Sequence, residues 1–498
     1  MTENETVHNG SDIYLSKTLF IKGLQCHKSL YLHKYRPELK DALTKETERL
    51  FSSGHEVGKL AQNLFPGGIE VPYEGLSHFE QLEMTQSLIK EGRDTLYEAA
   101  FCHDGVFVKA DILHRGSDGW DFYEVKKSSH VYPHHVNDLS LQYHVLTGSG
   151  IPVSRAFIVH IDNKYIRNRD IDVEKLFSKV DLTEIVKDRQ AFIAQEIAKE
   201  RIMLRGKEPA IDIGPHCYDP YACDFKGHCW SHIPSPSVFD YRDIGMPDSF
   251  ALYRQGIVKM EDVSPDTLGW RQKLQLDGVL YQKNHIDIGA VKAFIDSLWY
   301  PLCFMDFETT CRIPIPLFDG TRPNQFIPFQ FSLHIMDKPD GELSHYEFLA
   351  GGKVNPQKEF LEKLFAAVPR NACILVWNQS FEVARLKELA DAFPDKKADI
   401  FAMIGNVRDL MMPFSDKSIY HWQFNGSYSI KDVLPALVPE LSYDNLEVSD
   451  GGTASSAWVR MIQSNDNSEK ETFRKELLEY CHLDTLAMVK ILEKISIP

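Results

Sequence analysis

No stretch of this 498-residue chain holds about eighteen consecutive apolar residues, so no membrane-spanning helix is expected. The opening residues, MTENETVHNGSD, are polar and lack the apolar core that a secretory signal requires. The expected location is therefore the cytoplasm. An excess of positive charge is also missing. Acidic residues number 71 against 55 basic ones, for a net charge of −16. That balance argues against a basic coat protein of nucleic acid. It leaves open an enzyme that cleaves phosphodiesters, because metal ligands are acidic and a local basic strip is enough to hold phosphates. Internal repeats and low-complexity segments are absent. Cysteines number only nine, and an odd count without a secretion signal speaks against a disulfide framework.

What is present is the composition of a folded protein, 43% apolar and 25% charged. The length suits about two to four domains. A Pro/Ser break, HIPSPSV at 232–238, follows a cluster of cysteines, and a new apolar run, SLWYPLCFMDFETT, begins at 297. Short helical patterns such as DSFALYRQGIVKMEDV lie between them. The expected division is a mixed α/β domain over 1–235, a helical connector over 236–297, and a second mixed α/β domain over 298–498.

In the first domain, GVFVKADILHRGSDGWDFYEVKKSS (105–129) reads as two strands around a GSDG turn. With Gly116–Gly119 as a four-residue loop, Arg115 faces Trp120 and Asp111 faces Glu124. Lys126 then shares the face of Glu124. Two carboxylates and an ammonium on one patch suit metal-assisted phosphodiester cleavage. The carboxylates hold Mg²⁺, and the lysine orients water or stabilises developing charge. The bland alternative is a solvated acid–base face. Against it, both acids are embedded among Val, Ala, Ile, Phe and Tyr, where unpaired charge is costly.

This pattern, Asp111 followed after twelve residues by Glu124-x-Lys126, resembles the PD-(D/E)XK nucleases and specifically their RecB-like branch. GHEVGKLAQNLFPGG (54–68) resembles that branch's early helix, in which a Glu or His helps the metal site; the matching residues are Glu56 and His55. The alternative for Glu56 is an exposed first-turn acid. DLSLQYHVLTGSG (138–150) resembles the following helix, whose glutamine supports the site and corresponds to Gln142. The tyrosine usual further along is not in place, so Tyr143 carries no role, and Gln142 is otherwise a surface or core-edge residue.

Cys26 before the hairpin and Cys217, Cys223 and Cys229 after it resemble the frame of RecB-like nucleases with an iron–sulfur cluster. By that resemblance four thiolates hold a four-iron cluster that staples the ends of the domain. The C-x5-C-x5-C spacing departs from the usual tighter pair, so zinc, joined by His216 or His228, is the alternative, and independent thiols a third. Cys102, Cys303, Cys311, Cys373 and Cys481 are scattered and read as small buried hydrophobes. Around Cys26, basic residues alternate with aromatics. They suit either a nucleic-acid backbone or the solvated face of an amphipathic helix.

In the second domain, alternation puts Asp306 and Glu308 on one strand face, with Phe307 opposite. PFQFSLHIMD (328–337) and HYEFLAG (345–351) read as further strands, and 372–393 as a strand, a turn at Asn378 and a helix carrying Glu382. In the last helix, EYCHLDTLAMVKILEKI (479–495), Tyr480 and Asp484 are four apart and share a face. The set resembles the DEDD exonucleases of the DnaQ-like, RNase H-related fold, in their tyrosine-bearing subclass. The resemblance implies that Asp306, Glu308, Glu382 and Asp484 bind two divalent cations and that Tyr480 orients the attacking water. The third acid of that family is an Asp. Here it is Glu382, with Asp409 as a rival better suited to capping a helix.

The whole chain resembles an uncharacterised bacterial nuclease family that joins both parts. The expectation is a nuclease dependent on Mg²⁺ or Mn²⁺, acting on DNA in preference to RNA, in repair, recombination or defence, with an unidentified helicase or repair partner. A nucleic-acid-binding scaffold with one or both sites inactive, and an RNA-processing nuclease, are the alternatives.

Overall fold

The structure is a computed structural model that describes residues 15–42, 45–242 and 245–496, so the polar opening segment lies outside it. It is mixed α/β and divides into two compact units, Met1–His232 with Pro314–Pro323, and Ile233–Ile313 with Asn324–Pro498. No helix among the described residues is long and apolar enough to cross a membrane.

The first unit is built on a seven-stranded sheet. Its strands are β1 (Leu15–Ser16), β2 (Ile69–Glu70), β3 (Thr95–His103), β4 (Val106–Arg115), β5 (Trp120–Lys126), β6 (Val153–Ile161) and β7 (Phe177–Asp181). The order is β2-β3-β4-β5-β6-β7, with β1 added beside β4. The β3–β4–β5 stretch is an antiparallel meander, whereas β5 and β6 run parallel. A parallel pair needs a crossover, and helix α3 (Pro133–Gly148) supplies it. Helices α1 (Lys17–Gln25) and α2 (Lys45–Ala61) precede the meander.

The period of two divides the side chains between two cores. Leu96, Leu113, Phe122 and Ile158 join one, with Leu139, Val145 and Leu146 of α3. Tyr97, Ile112, Tyr123 and Phe157 join the other, with Val57 and Ala61 of α2. Asp111 and Glu124 share the parity of Leu113 and Phe122, so they face the α3 side.

The second unit carries a two-stranded ribbon, β8 (His285–Ile286) with β14 (Ile419–Tyr420), and a five-stranded sheet. The sheet strands are β9 (Leu302–Thr309), β10 (Pro328–Met336), β11 (Leu343–Leu349), β12 (Cys373–Val376) and β13 (Val407–Asp409), in the order β11-β10-β9-β12-β13. β10 is antiparallel to β9 and β11, and β12 and β13 run parallel to β9. Cys303, Met305 and Phe307 pack into the core on one face. The other face receives Asp306 and Glu308. Helix α4 (Gln379–Ala392) follows β12, and the 29-residue helix α5 (Asn467–Ile495) closes the chain.

Two boundaries differ from those expected. Residues 236–297 are not a separate connector. They close a small core around Tyr241, Met260 and Leu276, but β8 pairs with β14 and the Gln275 amide donates to the Asn425 carbonyl (3.1 Å), which ties them into the second unit. Pro314–Pro323, expected in the second domain, belongs to the first. There the Arg167 guanidinium donates to the carbonyls of Pro316 (3.0 Å) and Leu317 (2.9 Å). Both ties are long-range polar contacts, which leave no periodic trace in sequence.

Candidate active sites

The four-residue loop closes through Gly116 N–H to the Gly119 carbonyl (2.8 Å), and Arg115 pairs with Trp120. The same register carries Asp111 opposite Glu124. Glu124 is only 1% exposed. Its Oε1 accepts from Lys126 (2.6 Å) and Lys17 (2.7 Å), and its Oε2 from the Gln142 amide (2.6 Å). Gln142 lies on the buried stripe of α3, and Asp138, one turn earlier, accepts from both Gln142 (3.2 Å) and Lys126. Among the described residues, Asp111 Oδ2 accepts a backbone bond alone, from Val125 N–H (2.7 Å).

The two carboxyls therefore titrate apart. Burial would raise both. At Glu124 the ammonium groups of Lys126 and Lys17 overturn burial and hold the carboxyl well below its ordinary range. Asp111, buried and beside that anion, is pushed well above its own. Opposed shifts of this kind in neighbouring acids mark sites of acid–base or metal chemistry.

Three members of this centre have no local sequence signal or a weak one. Lys17 comes from the start of α1, 107 residues before Glu124. Asp138 stands four before Gln142 on the helix, a spacing that a search for i,i+4 polar pairs finds. Glu98 interrupts the β3–β4 pairing opposite Asp111, at a φ of 54°, and burial raises its carboxyl as well.

Glu56 and His55 are exposed on α2, whose buried side faces the opposite core. Among the described residues neither hydrogen-bonds nor ion-pairs with Asp111, Glu124 or Lys126. Nor is Glu56 a first-turn acid, because α2 starts at Lys45. The basic residues around Cys26 are largely committed to acids. Lys22 pairs with Asp224 (2.8 Å) and Lys28 with Glu208 (3.4 Å).

Cys26, Cys217, Cys223 and Cys229 line one cavity of about 20 Å³, with His216 beside them. The Gln25 amide donates to the carbonyls of His216 and Tyr221 (both 2.7 Å), which fixes the cysteine loop against the end of α1. Burial raises the Cys26 thiol and pushes Cys229 up to about 11. Four thiols on one cavity, Cys217 buried and the other three half-buried, fit a group that binds thiolate, since a metal supplies the charge that burial withholds.

In the second unit, Asp306 and Glu308 of β9 and Glu382 of α4 line a cleft of about 280 Å³. Asp484 and Tyr480 approach the same face from α5, both buried. Burial, then the charge of Asp484, raises Asp306. Burial, then Asp306 and Asp484, raises Glu308. Burial raises Asp484 to about 6, although the Tyr443 hydroxyl donates to its Oδ1 (2.6 Å). Burial also lifts Glu382, and its Oε2 has no hydrogen-bond partner among the described residues.

Asp409 accepts the N–H groups of Asn378 (3.2 Å) and Gln379 (3.0 Å), so it caps α4. Tyr443, Lys431 and Cys481 complete the surroundings. The Lys431 ammonium stands 5.9 Å from the rings of both Tyr443 and Tyr480. The Cys481 thiol, expected only as a small hydrophobe, donates to Asp306 Oδ2 (3.8 Å).

Such crowding has a pH signature. Between its ordinary value of 3.8 and about 6, Asp484 is protonated when folded and ionised when unfolded. The folded state then binds the extra proton, so stability falls as pH rises. In EDTA, urea denaturation between about pH 4 and 7 is expected to show a loss of roughly 3 kcal/mol from this group alone. A slope that is flat or opposite in EDTA contradicts the burial of these acids.

Residues 303–429, which span Asp306, Glu308 and Glu382, match a family profile described as "Domain of unknown function (DUF2779)". The chain is similar to the uncharacterized protein MG366 of Mycoplasma genitalium, 28% identical over 207 residues, which is 38% of this chain and 31% of that protein. It is also similar to the uncharacterized protein UU173 of Ureaplasma parvum, 28% identical over 134 residues, 24% of this chain and 19% of that one. In both cases the alignment spans a third or less of the curated relative.

Proposed function

We propose that this chain is a divalent-metal-dependent nuclease with two phosphodiester-cleaving centres, acting on DNA in preference to RNA, in repair, recombination or defence. The observation that carries the reading is the cluster of Asp306, Glu308, Asp484 and Glu382, brought together from β9, α4 and α5, Asp306 half-buried and the other three buried, with pKa values all raised. Uncompensated, that arrangement costs folding free energy, so it implies a function for cations.

The strand orders support the finer assignment. A meander followed by a crossover helix and a parallel strand is the arrangement expected of a PD-(D/E)XK domain. The order β11-β10-β9-β12-β13 is that expected of an RNase H-like domain.

In the second centre the four carboxylates would hold two Mg²⁺ or Mn²⁺ ions, whose chemistry there would be to neutralise phosphate charge and lower the pKa of water. Tyr480 shares the helix face of Asp484 and positions the attacking water, while Tyr443 fixes the Asp484 carboxylate. In the first, Asp111 and Glu124 would hold the cation. Lys126 stabilises developing negative charge, and Gln142 orients Glu124.

The test is digestion of end-labelled single-stranded DNA, double-stranded DNA and RNA with Mg²⁺ or Mn²⁺. Cleavage that EDTA stops supports the reading, and a wild-type protein inert on every substrate ends it. The four cysteines would hold an iron–sulfur cluster whose role is to staple the first unit. Anaerobically purified protein is then expected to be brown and to contain about four irons per chain, with the colour lost in Cys217→Ala. A colourless preparation with zinc at the four thiols assigns the frame to zinc instead.

A further inference from the structure

A separate set of donors lies within the second unit. His334 on β10 and His345 on β11 are directly paired across the strands, and His482 reaches them from α5. One ring nitrogen from each lies within 4.8 Å of the other two. Nδ1 of His482 and Nε2 of His345 are 3.2 Å apart. In a tetrahedral site with zinc–nitrogen bonds of about 2.0–2.1 Å, neighbouring nitrogens stand about 3.4 Å apart. The pair is therefore already at ligand spacing.

We propose that His334, His345 and His482 form a three-imidazole site for zinc or a similar borderline divalent ion, which clamps helix α5 to the β10–β11 edge. The assignment does not rest on the nuclease reading. The donors decide the class of metal. A cluster of neutral imidazoles favours Zn²⁺, Co²⁺ or Ni²⁺, whereas Mg²⁺ and Ca²⁺ demand oxygen.

Supporting hydrogen bonds are in place too. His334 Nδ1 meets the Thr485 hydroxyl (2.8 Å), leaving Nε2 for a metal. Thr485 also bonds Ser332 (2.7 Å), whose hydroxyl lies 3.0 Å from His345 Nε2 and would yield that nitrogen to the metal. Partners of this kind orient ligating imidazoles in metal sites. A helix turns about 100° per residue. His482 therefore points away from the face shared by Tyr480 and Asp484, and the site is distinct from the carboxylate cluster. Its effect is positional, since it holds the helix that presents those two residues.

The test uses the full chain, stripped with EDTA, reloaded with Zn²⁺ or Co²⁺ and assayed for bound metal by mass spectrometry. His345→Ala is expected to lose one equivalent that Asp306→Asn and Cys217→Ala both retain. Thr485→Val is expected to weaken that equivalent by about 10- to 100-fold. Wild-type protein loaded with Co²⁺ should show visible bands of a nitrogen-ligated ion, beside any sulfur charge transfer from the four cysteines. This measurement stands even if a variant does not fold. Equal metal content in wild type and His345→Ala, or a cobalt spectrum with only sulfur or oxygen ligation, overturns the proposal. Nuclease assays on the same samples report separately on the function proposed above.

Discussion

Asp306→Asn is expected to remove cleavage by the second centre, by a factor on the order of 10³ or more, and at the same time to raise the melting temperature of the metal-free protein. Both effects follow from one arrangement. Asp306 sits at the middle of the acidic cluster, and its charge raises Glu308, Glu382 and Tyr480. A neutral amide relieves that repulsion without changing shape. A gain of about 1 kcal/mol corresponds to about 2–4 °C for a body of this size. With Mg²⁺ the order reverses, because wild type gains binding free energy that the variant has lost. The measurement is a pair of melting curves, in EDTA and in Mg²⁺, beside an exonuclease assay in the Asp111→Asn background. A variant that cleaves like its parent would falsify the metal role of Asp306. A lower melting temperature in EDTA would remove the claim that the acids repel.

The second large effect is on stability. Lys126→Met is expected to destabilise the first unit by about 3 kcal/mol, near the lower end for breaking a buried ion pair. Lys126 joins Glu124 to Asp138, and Glu124 is almost fully buried. Methionine fills the stem but takes from Asp138 its shortest ion pair and leaves Glu124 with one ammonium in place of two. Lys17 remains on Glu124 at 2.7 Å, which keeps the loss from being larger. Adding Glu124→Gln to Lys126→Met should recover part of it, since an amide needs no counter-ion.

The pH dependence has a definite sign. Glu124 has a depressed folded pKa, so its contribution is complete above the ordinary value of 4.5 and fades only as pH falls below it. The deficit of Lys126→Met is therefore expected to stay constant from about pH 8 to 5 and to shrink in stronger acid. Denaturant melts across that range test it, and a deficit that vanishes at neutral pH contradicts the buried pair.

Much of both centres was readable along the chain because the groups lie on single elements. A four-residue loop has one register, so Asp111 and Glu124 follow from GSDG by counting. Alternation puts Asp306 with Glu308, and a spacing of four puts Tyr480 with Asp484. These relations depend on the two periods of the backbone and on nothing distant. Cys217, Cys223 and Cys229 stand close together along the chain, whereas Cys26 joins them in sequence only through the family resemblance.

What only the tertiary structure decided involves partners far apart in sequence. Lys17, Asp138 and Glu98 around Glu124, and Tyr443 and Lys431 around Asp484, arrive from other elements. The commitment of the basic residues near Cys26 to acids is of the same kind. So is the placing of α2 against the opposite core, which leaves Glu56 exposed, because helix packing depends on which sheet face the apolar stripe meets. His334, His345 and His482 carry no spacing signal at all. They meet only because an antiparallel pair and a long helix bring three distant positions to one sheet edge. Local periodicity determines which side chains share a face. Long-range packing determines which faces meet, and with that which charges are paired, which are left repelling, and where a cation would be held.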